Sequence, residues 1–539
     1  MTAPSHAPAA DAAVRLLTTL VEHGVRDIVL SPGSRSQALA LAAAALARSG
    51  SLRVHVRIDE RVAGFTALGI GRESGAPAAV ICTSGTAAAG YLPAAMEAFH
   101  SGVPLILLTA DRPPELRGVG ANQATVQPGM FRPWARLSVD APVPGDAEPA
   151  VYAALAEEAV TVALGAAGEG LDGVAGPVHL NLPVREPLSG TLPDPLSASA
   201  GPLPRPAGAE PMRIAAGGRT LVVAGADAGP DAERLAREGG WPLIAEVVSG
   251  ARFGPQLVPA YRERLRDAAL ADRIQRVVVL GHPTLSREVA ALLRRTDLEI
   301  IAVRRGGERL NPSGTAVDAR AIEVEQGPAD TGWLAAWTAP TAVGGGAADP
   351  DAGSSADVPL DRPALVRAVW AATGPADRLL FGSSRIVRVA DQLLDGAEAR
   401  VHANRGLAGI DGTTGTGIGI ALAAQAGGAP GTVRVLLGDL SLLHDVGSLL
   451  LPADEPAPRV QVIVGNDGGG TIFDGLEVAA SAPSVDLDRA FYTPQSVALG
   501  PLAAAYGWTH VHVGTVAELE HALAAEVGGP QLIEVPLAR

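Results

Sequence analysis

Short runs of β-branched and aliphatic residues alternate with longer Ala- and Leu-rich stretches along almost the whole chain. Asp27–Leu30, Ala79–Cys82, Pro104–Leu108 and Pro177–Leu182 predict strands in the first third. Leu221–Ala224, Arg276–Leu280 and Leu298–Val303 predict three more in the middle. Arg378–Phe381, Val433–Leu437, Val460–Val464 and Gln531–Val535 predict four in the last third. Strands that alternate with helical stretches form βαβ units, so the pattern predicts an α/β chain of parallel sheets covered by helices.

Two segments break the alternation. Residues 186–211 are rich in Pro, Gly, Ser and Ala, and residues 339–363 contain Gly344–Gly346 and Gly353–Ser355. Such stretches read as linkers. They divide the chain into units at 1–186, 212–338 and 362–539, joined by linkers at 187–211 and 339–361, each unit of ordinary domain size. Five predicted strands end in polar or glycine-rich segments: Ser31–Ser36, Thr83–Thr86, Thr109–Arg112, Gly438–Ser441 and Asn466–Gly470. Ligands of open α/β sheets gather at such strand ends. All five lie in the first and last units, so the middle unit reads as mainly structural.

Composition narrows the partners. The 539 residues are 47% hydrophobic and carry a formal net charge of −15, which argues against nucleic acid or an anionic membrane. Arginines beside Gly and Ser, as at Ser34–Arg35, suit small anionic substrates instead. The chain contains no lysine, which excludes a Walker A lysine and any Schiff-base lysine. Every fixed side-chain cation is therefore expected to be arginine. The single cysteine, Cys82, sits in an apolar run and reads as a buried structural thiol. No basic-then-apolar leader opens the chain, and the Ala38–Ala47 run falls short of the ~18–20 residues that span a bilayer. A cytoplasmic protein with no integral membrane segment is expected.

The most informative pair of motifs is Gly438-Asp439-Leu440-Ser441 followed by Asn466-Asp467. The 25 residues from Ser441 to Gly465 suffice for one helical crossover between neighbouring strands. Asp439 and Asn466/Asp467 would then stand side by side, with Gly469 close behind. Mg²⁺ (or Mn²⁺) takes hard oxygen ligands, often a few protein groups plus a phosphate. Glycines beside them let the backbone approach a diphosphate. The spacing matches the thiamine-diphosphate signature, a Gly-Asp pair followed about 25 residues later by an Asn pair. Leu440 and Asp467 depart from that signature, and Asp467 adds a negative charge. Two βα turns with no metal are the alternative.

Thiamine chemistry also requires a carboxylate beside the aminopyrimidine ring. Glu60, in Ile58-Asp59-Glu60-Arg61, follows a short β run and opens an Ala/Gly-rich helix. A Glu at a helix N-terminus is commonly just dipole-stabilised. Its place in the first unit, with the diphosphate motif in the third, fits enzymes that bind the two ends of thiamine diphosphate on different domains, usually of different subunits. A homodimer or homotetramer is expected.

Six ordered motifs then carry a resemblance: Ser31–Ser36 (SPGSRS), Thr83–Ala87 (TSGTA), Thr109–Leu116 (TADRPPEL), Gly120–Gln123 (GANQ), Asn404–Gly412 (NRGLAGIDG) and Gly438–Asp445 (GDLSLLHD). The chain resembles the thiamine-diphosphate-dependent 2-succinyl-5-enolpyruvyl-6-hydroxy-3-cyclohexene-1-carboxylate (SEPHCHC) synthases of menaquinone biosynthesis. The resemblance spans the first and last units and is faint in the middle. It implies a pyrimidine-binding, a central and a diphosphate-binding domain. It also implies decarboxylation of 2-oxoglutarate and addition of the succinyl carbanion to isochorismate.

By the same resemblance, Ser34, Arg35, Arg112, Asn122, Gln123 and Arg287 would hold isochorismate. Ser384, Arg388 and Arg405 would hold the succinyl carboxylate, and Phe473 would pack beside the intermediate. Glu60, Arg35, Gln123, Arg388 and Arg405 form the expected catalytic set. Glu60, Ile410, Gly438, Asp439, Leu440, Ser441, Asn466, Asp467 and Gly469 form the expected cofactor site. Within it, Asp439, Asn466, Asp467 and Gly469 would bind the metal. Arginine forks hold carboxylates well, although any single arginine is more often a solvated surface residue. Gly90 receives no role. The Gly412–Gly419 run reads as a loop under the cofactor, since the GxGxxG spacing of a dinucleotide site is absent.

Competing readings are another thiamine-diphosphate decarboxylase or carboligase, or an inactive cofactor-binding paralogue. None of the 11 histidines has a His neighbour, which counts against decarboxylases that use a His-His pair. Glu60 together with Asp439 counts against inactivity.

Overall fold

The computed structural model describes residues 7–166, 173–205, 208–340 and 359–539. Most of the expected linker at 339–361, including both of its glycine clusters, lies outside these residues, as do two positions of the linker at 187–211.

The first sheet contains β1 (Asp27–Leu30), β2 (Arg53–Val56), β3 (Ala78–Cys82), β4 (Leu105–Asp111), β5 (Leu137–Asp140) and β6 (Pro177–Pro183), in spatial order β2-β1-β3-β4-β6-β5. The middle region holds β7 (Met212–Ala215), β8 (Thr220–Ala224), β9 (Leu243–Ala245), β10 (Arg276–Leu280), β11 (Glu299–Val303), β12 (Val317–Ala319) and β13 (Ile322–Glu325). Five of these form the sheet β12-β11-β10-β8-β9, and β13 pairs with β7. The third sheet contains β14 (Arg378–Phe381), β15 (Arg400–Ala403), β16 (Val433–Gly438), β17 (Val460–Asn466), β18 (Thr509–His512) and β19 (Gln531–Pro536), in order β15-β14-β16-β17-β19-β18. Strand pairing is parallel throughout the three regions.

All eleven expected strands form. The strands that sequence missed are short or partly exposed, such as β2, β5, β15 and β18 at sheet edges. An edge strand lacks the continuous apolar run that marks β4, which is buried at every residue. Cys82 is buried in β3 as expected, and burial raises its pKa. Among the described residues, no helix is long and apolar enough to cross a membrane.

The first and third units meet along two glycine-bearing helices, Glu60–Ser74 and Thr413–Ala426. A Cβ on Gly69 would lie 2.1 Å from the Thr416 carbonyl oxygen, and one on Gly419 would lie 2.0 Å from that of Thr66. The two backbones therefore touch directly. Gly415, Gly417 and Gly419 belong to a helix, which corrects the expectation of a loop. A helical glycine costs about 1 kcal/mol relative to alanine, and here close packing offsets that cost.

Buried polar contacts bind the middle unit to its neighbours. Arg72 pairs with Asp227 and, at 3.5 Å, with Glu97. Asp391, wholly buried, accepts hydrogen bonds from the Val247 N–H (2.9 Å), Tyr261 Oη (2.6 Å) and Arg262 (2.5 Å).

Candidate active site

Gly438 and Gly465 pair at the ends of β16 and β17, so Asp439 and Asn466-Asp467 leave adjacent strands side by side. Asp439 opens the helix Asp439–His444. Burial pushes its carboxyl up to about 6 and the Asp467 charge adds to the effect, while the Leu440 and Gly469 N–H groups oppose it. Gly469 has φ +132°, and a Cβ there would lie 2.2 Å from the Tyr492 carbonyl oxygen, so only glycine fits. Asp467 Oδ2 accepts from Arg362 Nη2 at 2.7 Å and Thr471 Oγ1 at 2.5 Å.

Asn466 stands at the same rim, where its Oδ1 accepts from the Gly468 N–H at 3.4 Å. Its amide donates to Glu534 Oε1 at 3.0 Å, toward β19. The oxygens at this rim are those of Asp439, Asp467, the Asn466 side chain and the Gly469 backbone. Among the described residues, no cluster of three or more His, Cys, Asp or Glu could hold a metal. Two carboxylates and a carbonyl suit a hard cation that takes further ligands from a diphosphate. This donor set and the side-chain-free approach at Gly469 fit metal-bound thiamine diphosphate. Ser441 is buried in the first helical turn, and Leu440 is half-buried. Phe473, also half-buried, meets Phe491 edge-on at 5.2 Å.

At the first sheet, the Arg35 N–H donates to Thr83 Oγ1 at 3.2 Å, joining the loops after β1 and β3. The Arg35 guanidinium is buried, donates to the Val184 carbonyl at 3.2 Å and leaves Nε without a partner. Gln123 exchanges two 2.9 Å hydrogen bonds with Ser84 and has a left-handed backbone, φ 57°. Ser34 and Asn122 are exposed, and Arg112 is half-buried.

Sequence reasoning missed Gln127, which lies buried under this rim. It accepts from the Gly85 N–H at 2.8 Å and donates to the Ala110 carbonyl and Asn181 Oδ1. Glu60 begins its helix half-buried, and its pKa is raised by burial, with a smaller contribution from Asp59. Gly90 also gains a place here: a Cβ on it would lie 2.8 Å from Glu60 Cβ.

A third cluster lies where the third sheet meets the middle unit. Ser384 caps the helix Arg385–Leu393 by accepting from the Ile386 N–H, and Arg388 donates to the Ser384 carbonyl at 2.9 Å. The buried Arg405 donates twice to Thr284 Oγ1, at 2.9 and 2.7 Å, and to Ser383 Oγ at 3.2 Å. Burial lowers the pKa of both arginines; repulsion from Arg262 adds to it at Arg388, and at Arg405 attraction to Glu246 opposes it while repulsion from Arg388 adds to it.

Glu246 approaches from the middle unit, where it accepts from the Thr284 and Leu285 N–H groups. Burial, with Asp391 nearby, pushes its carboxyl up to about 8. The middle unit, read from the sequence as mainly structural, places Thr284, Glu246 and Arg262 beside this cluster. Arg287 opens the helix Arg287–Leu292 three residues beyond Thr284 and is exposed. Ile410 is 38% exposed between Gly409 and Asp411, which line a cavity of about 260 Å³ together with Phe65, Leu92 and Met96.

Residues 10–130 match the thiamine pyrophosphate enzyme N-terminal TPP-binding domain, and residues 389–535 match the C-terminal one. A SEPHCHC synthase of Leifsonia xyli subsp. xyli is 51% identical, covering 99% of this chain and 97% of the relative. Its namesakes in Nocardioides sp. and Mycobacterium avium are 42% and 38% identical, covering 100% and 96% of this chain and 97% and 95% of their own lengths. The chain belongs to the SEPHCHC synthase family. It is a thiamine-diphosphate-dependent transferase of menaquinone biosynthesis.

Solved structures agree on the fold. Benzoylformate decarboxylase from Polynucleobacter necessarius superposes with a TM-score of 0.68 at 16% identity, covering 100% of this chain and 99% of the other. A putative thiamin diphosphate-dependent enzyme from Mycobacterium smegmatis gives 0.66 at 17%, covering 98% and 99%.

Proposed function

We propose that this SEPHCHC synthase family member decarboxylates 2-oxoglutarate and adds the succinyl unit to isochorismate in the cytoplasm. It would use thiamine diphosphate with Mg²⁺ or Mn²⁺. One observation carries the substrate class. Arg35, Arg112, Arg388 and Arg405 form no ion pair with a carboxylate among the described residues, although all four are buried or half-buried. Glu246, Glu97 and Asp391 act on Arg405 only at longer range, and desolvated guanidinium groups with no carboxylate bonded to them are costly unless an anionic ligand completes them.

Residues 1–186 bind the pyrimidine end, residues 362–539 bind the diphosphate, and residues 212–338 form the central domain. Bound thiamine diphosphate supplies the electron sink that lets a 2-oxoacid lose carbon dioxide. Asp439, Asp467 and the Gly469 carbonyl hold the metal. Glu60, half-buried with a raised pKa, holds and returns the proton at the aminopyrimidine. Arg405, Arg388 and Ser384 fix the carboxylate that the oxoacid keeps. Arg35, Gln123, Arg112, Asn122, Ser34 and Arg287 receive the carboxylated ring, and Phe473 packs beside the reacting carbon. With the pyrimidine end assigned to the first unit and the diphosphate to the third, a homodimer or homotetramer that pairs the two ends across subunits fits best.

The test is purified protein with thiamine diphosphate, Mg²⁺, 2-oxoglutarate and isochorismate, followed by the loss of isochorismate. Consumption of both substrates with release of carbon dioxide is expected. Use of pyruvate with isochorismate untouched would overturn the substrate assignment.

A further inference from the structure

The position after Asn466 carries Asp where the thiamine-diphosphate signature has Asn. An aspartate there offers a second oxygen and a full negative charge, beside Asp439 and the expected diphosphate. Both additions are met within the chain. Arg362 Nη2 and Thr471 Oγ1 converge on Asp467 Oδ2, and no hydrogen bond within the chain engages Oδ1 among the described residues. The ion pair is mostly shielded, with side-chain exposures of 12% for Arg362 and 8% for Asp467.

The location of Arg362 is informative. It is the first residue of the helix Arg362–Ala372, capped by Asp361. A cation in the first helical turn opposes the helix dipole, so helix stability does not account for an arginine there. The carboxylate 105 positions away does.

We propose that Arg362 is the counter-ion that allows an aspartate to serve as the second metal ligand. The Arg362–Asp467 pair presents one oxygen and no net charge, as an asparagine would. Thr471 fixes which oxygen is turned away. Arg362 is a positioning residue, since it acts on the metal through Asp467. The inference rests on the diphosphate-and-metal reading above.

The experiment is a double-mutant cycle read by calorimetric titration of thiamine diphosphate, with excess Mg²⁺, into the full-length apoprotein. Melting temperature without cofactor is recorded in parallel. Arg362→Gln leaves an unbalanced carboxylate beside the diphosphate and is expected to weaken binding about tenfold or more. The double variant Arg362→Gln/Asp467→Asn restores a neutral single-oxygen donor and should return to within about threefold of the parent. If Arg362 were only a strut between helix and loop, the double variant would stay as weak as Arg362→Gln, which overturns the proposal. Unchanged binding in Arg362→Gln overturns it as well. A parent that binds no thiamine diphosphate with Mg²⁺ overturns the reading beneath it.

Discussion

The first and third sheets share one strand order and opposite chemistry. In each, the chain reverses direction across the sheet between its first and third strands, β1 and β3 in one, β14 and β16 in the other. The loops beyond β1 and β3 carry Arg35, Ser84 and, through Ser84, Gln123, an amide and guanidinium rim. Those beyond β16 and β17 carry Asp439, Asp467 and glycines, a carboxylate rim. The scaffold sets where a ligand can sit, and the first few residues after each strand decide which ligand it is.

The sharpest test of this division is Glu60, the acid that sits on the cationic side. Glu60→Gln should lower kcat by about 10²–10⁴-fold, the usual span for a lost acid–base group. Calorimetric affinity for thiamine diphosphate should change only a few-fold. Burial raises the Glu60 pKa, and its ionised form is the working one. Activity should therefore be lost as pH falls through a value above the ordinary glutamate pKa of about 4.3, and a kcat/KM profile locates that limb.

A smaller effect distinguishes the substrate arginines. Arg405→Ala should raise KM for 2-oxoglutarate by about 10–100-fold and leave that for isochorismate nearly unchanged, while Arg35→Ala should do the reverse. Equal effects on both substrates in either variant would erase the distinction between the two clusters.

Gly419→Ala probes what holds the sheets in register. With the Thr66 carbonyl 2.0 Å from the added carbon, a loss of about 1–3 kcal/mol is expected in urea unfolding. The smallest effect concerns Glu246. Its folded pKa is raised to about 8, so its stabilising contribution is complete below the unfolded value and is lost as pH rises toward 8. Melting temperatures of Glu246→Gln should fall less than those of the parent between pH 5 and about 8.

Legibility in the sequence followed chain separation. β16, β17 and the 25-residue crossover between them could be read because motif and strand are contiguous. Partners of the same residues could not. Arg362 stands 105 positions from Asp467, and Thr284 stands 121 from Arg405. No local pattern links such pairs, because each is created by the packing of separate units. Gly415, Gly417 and Gly419 show the converse error. Their glycine-rich run reads as a loop under the cofactor, whereas contact with a second helix holds them in a helix despite the low helix propensity of glycine. Gly90 receives no role from the sequence, whereas in the fold its lack of a side chain admits Glu60.

The paired glycines of the two touching helices also bear on how such enzymes can be recombined. Gly69 and Gly419 lie in different units, yet each is required by the backbone of the other's helix. A first unit exchanged for one from a distant relative would dock only if its helix also brought a residue without a side chain to that crossing. For building chimaeras, the transferable module is the helix pair, and crossover points belong outside it.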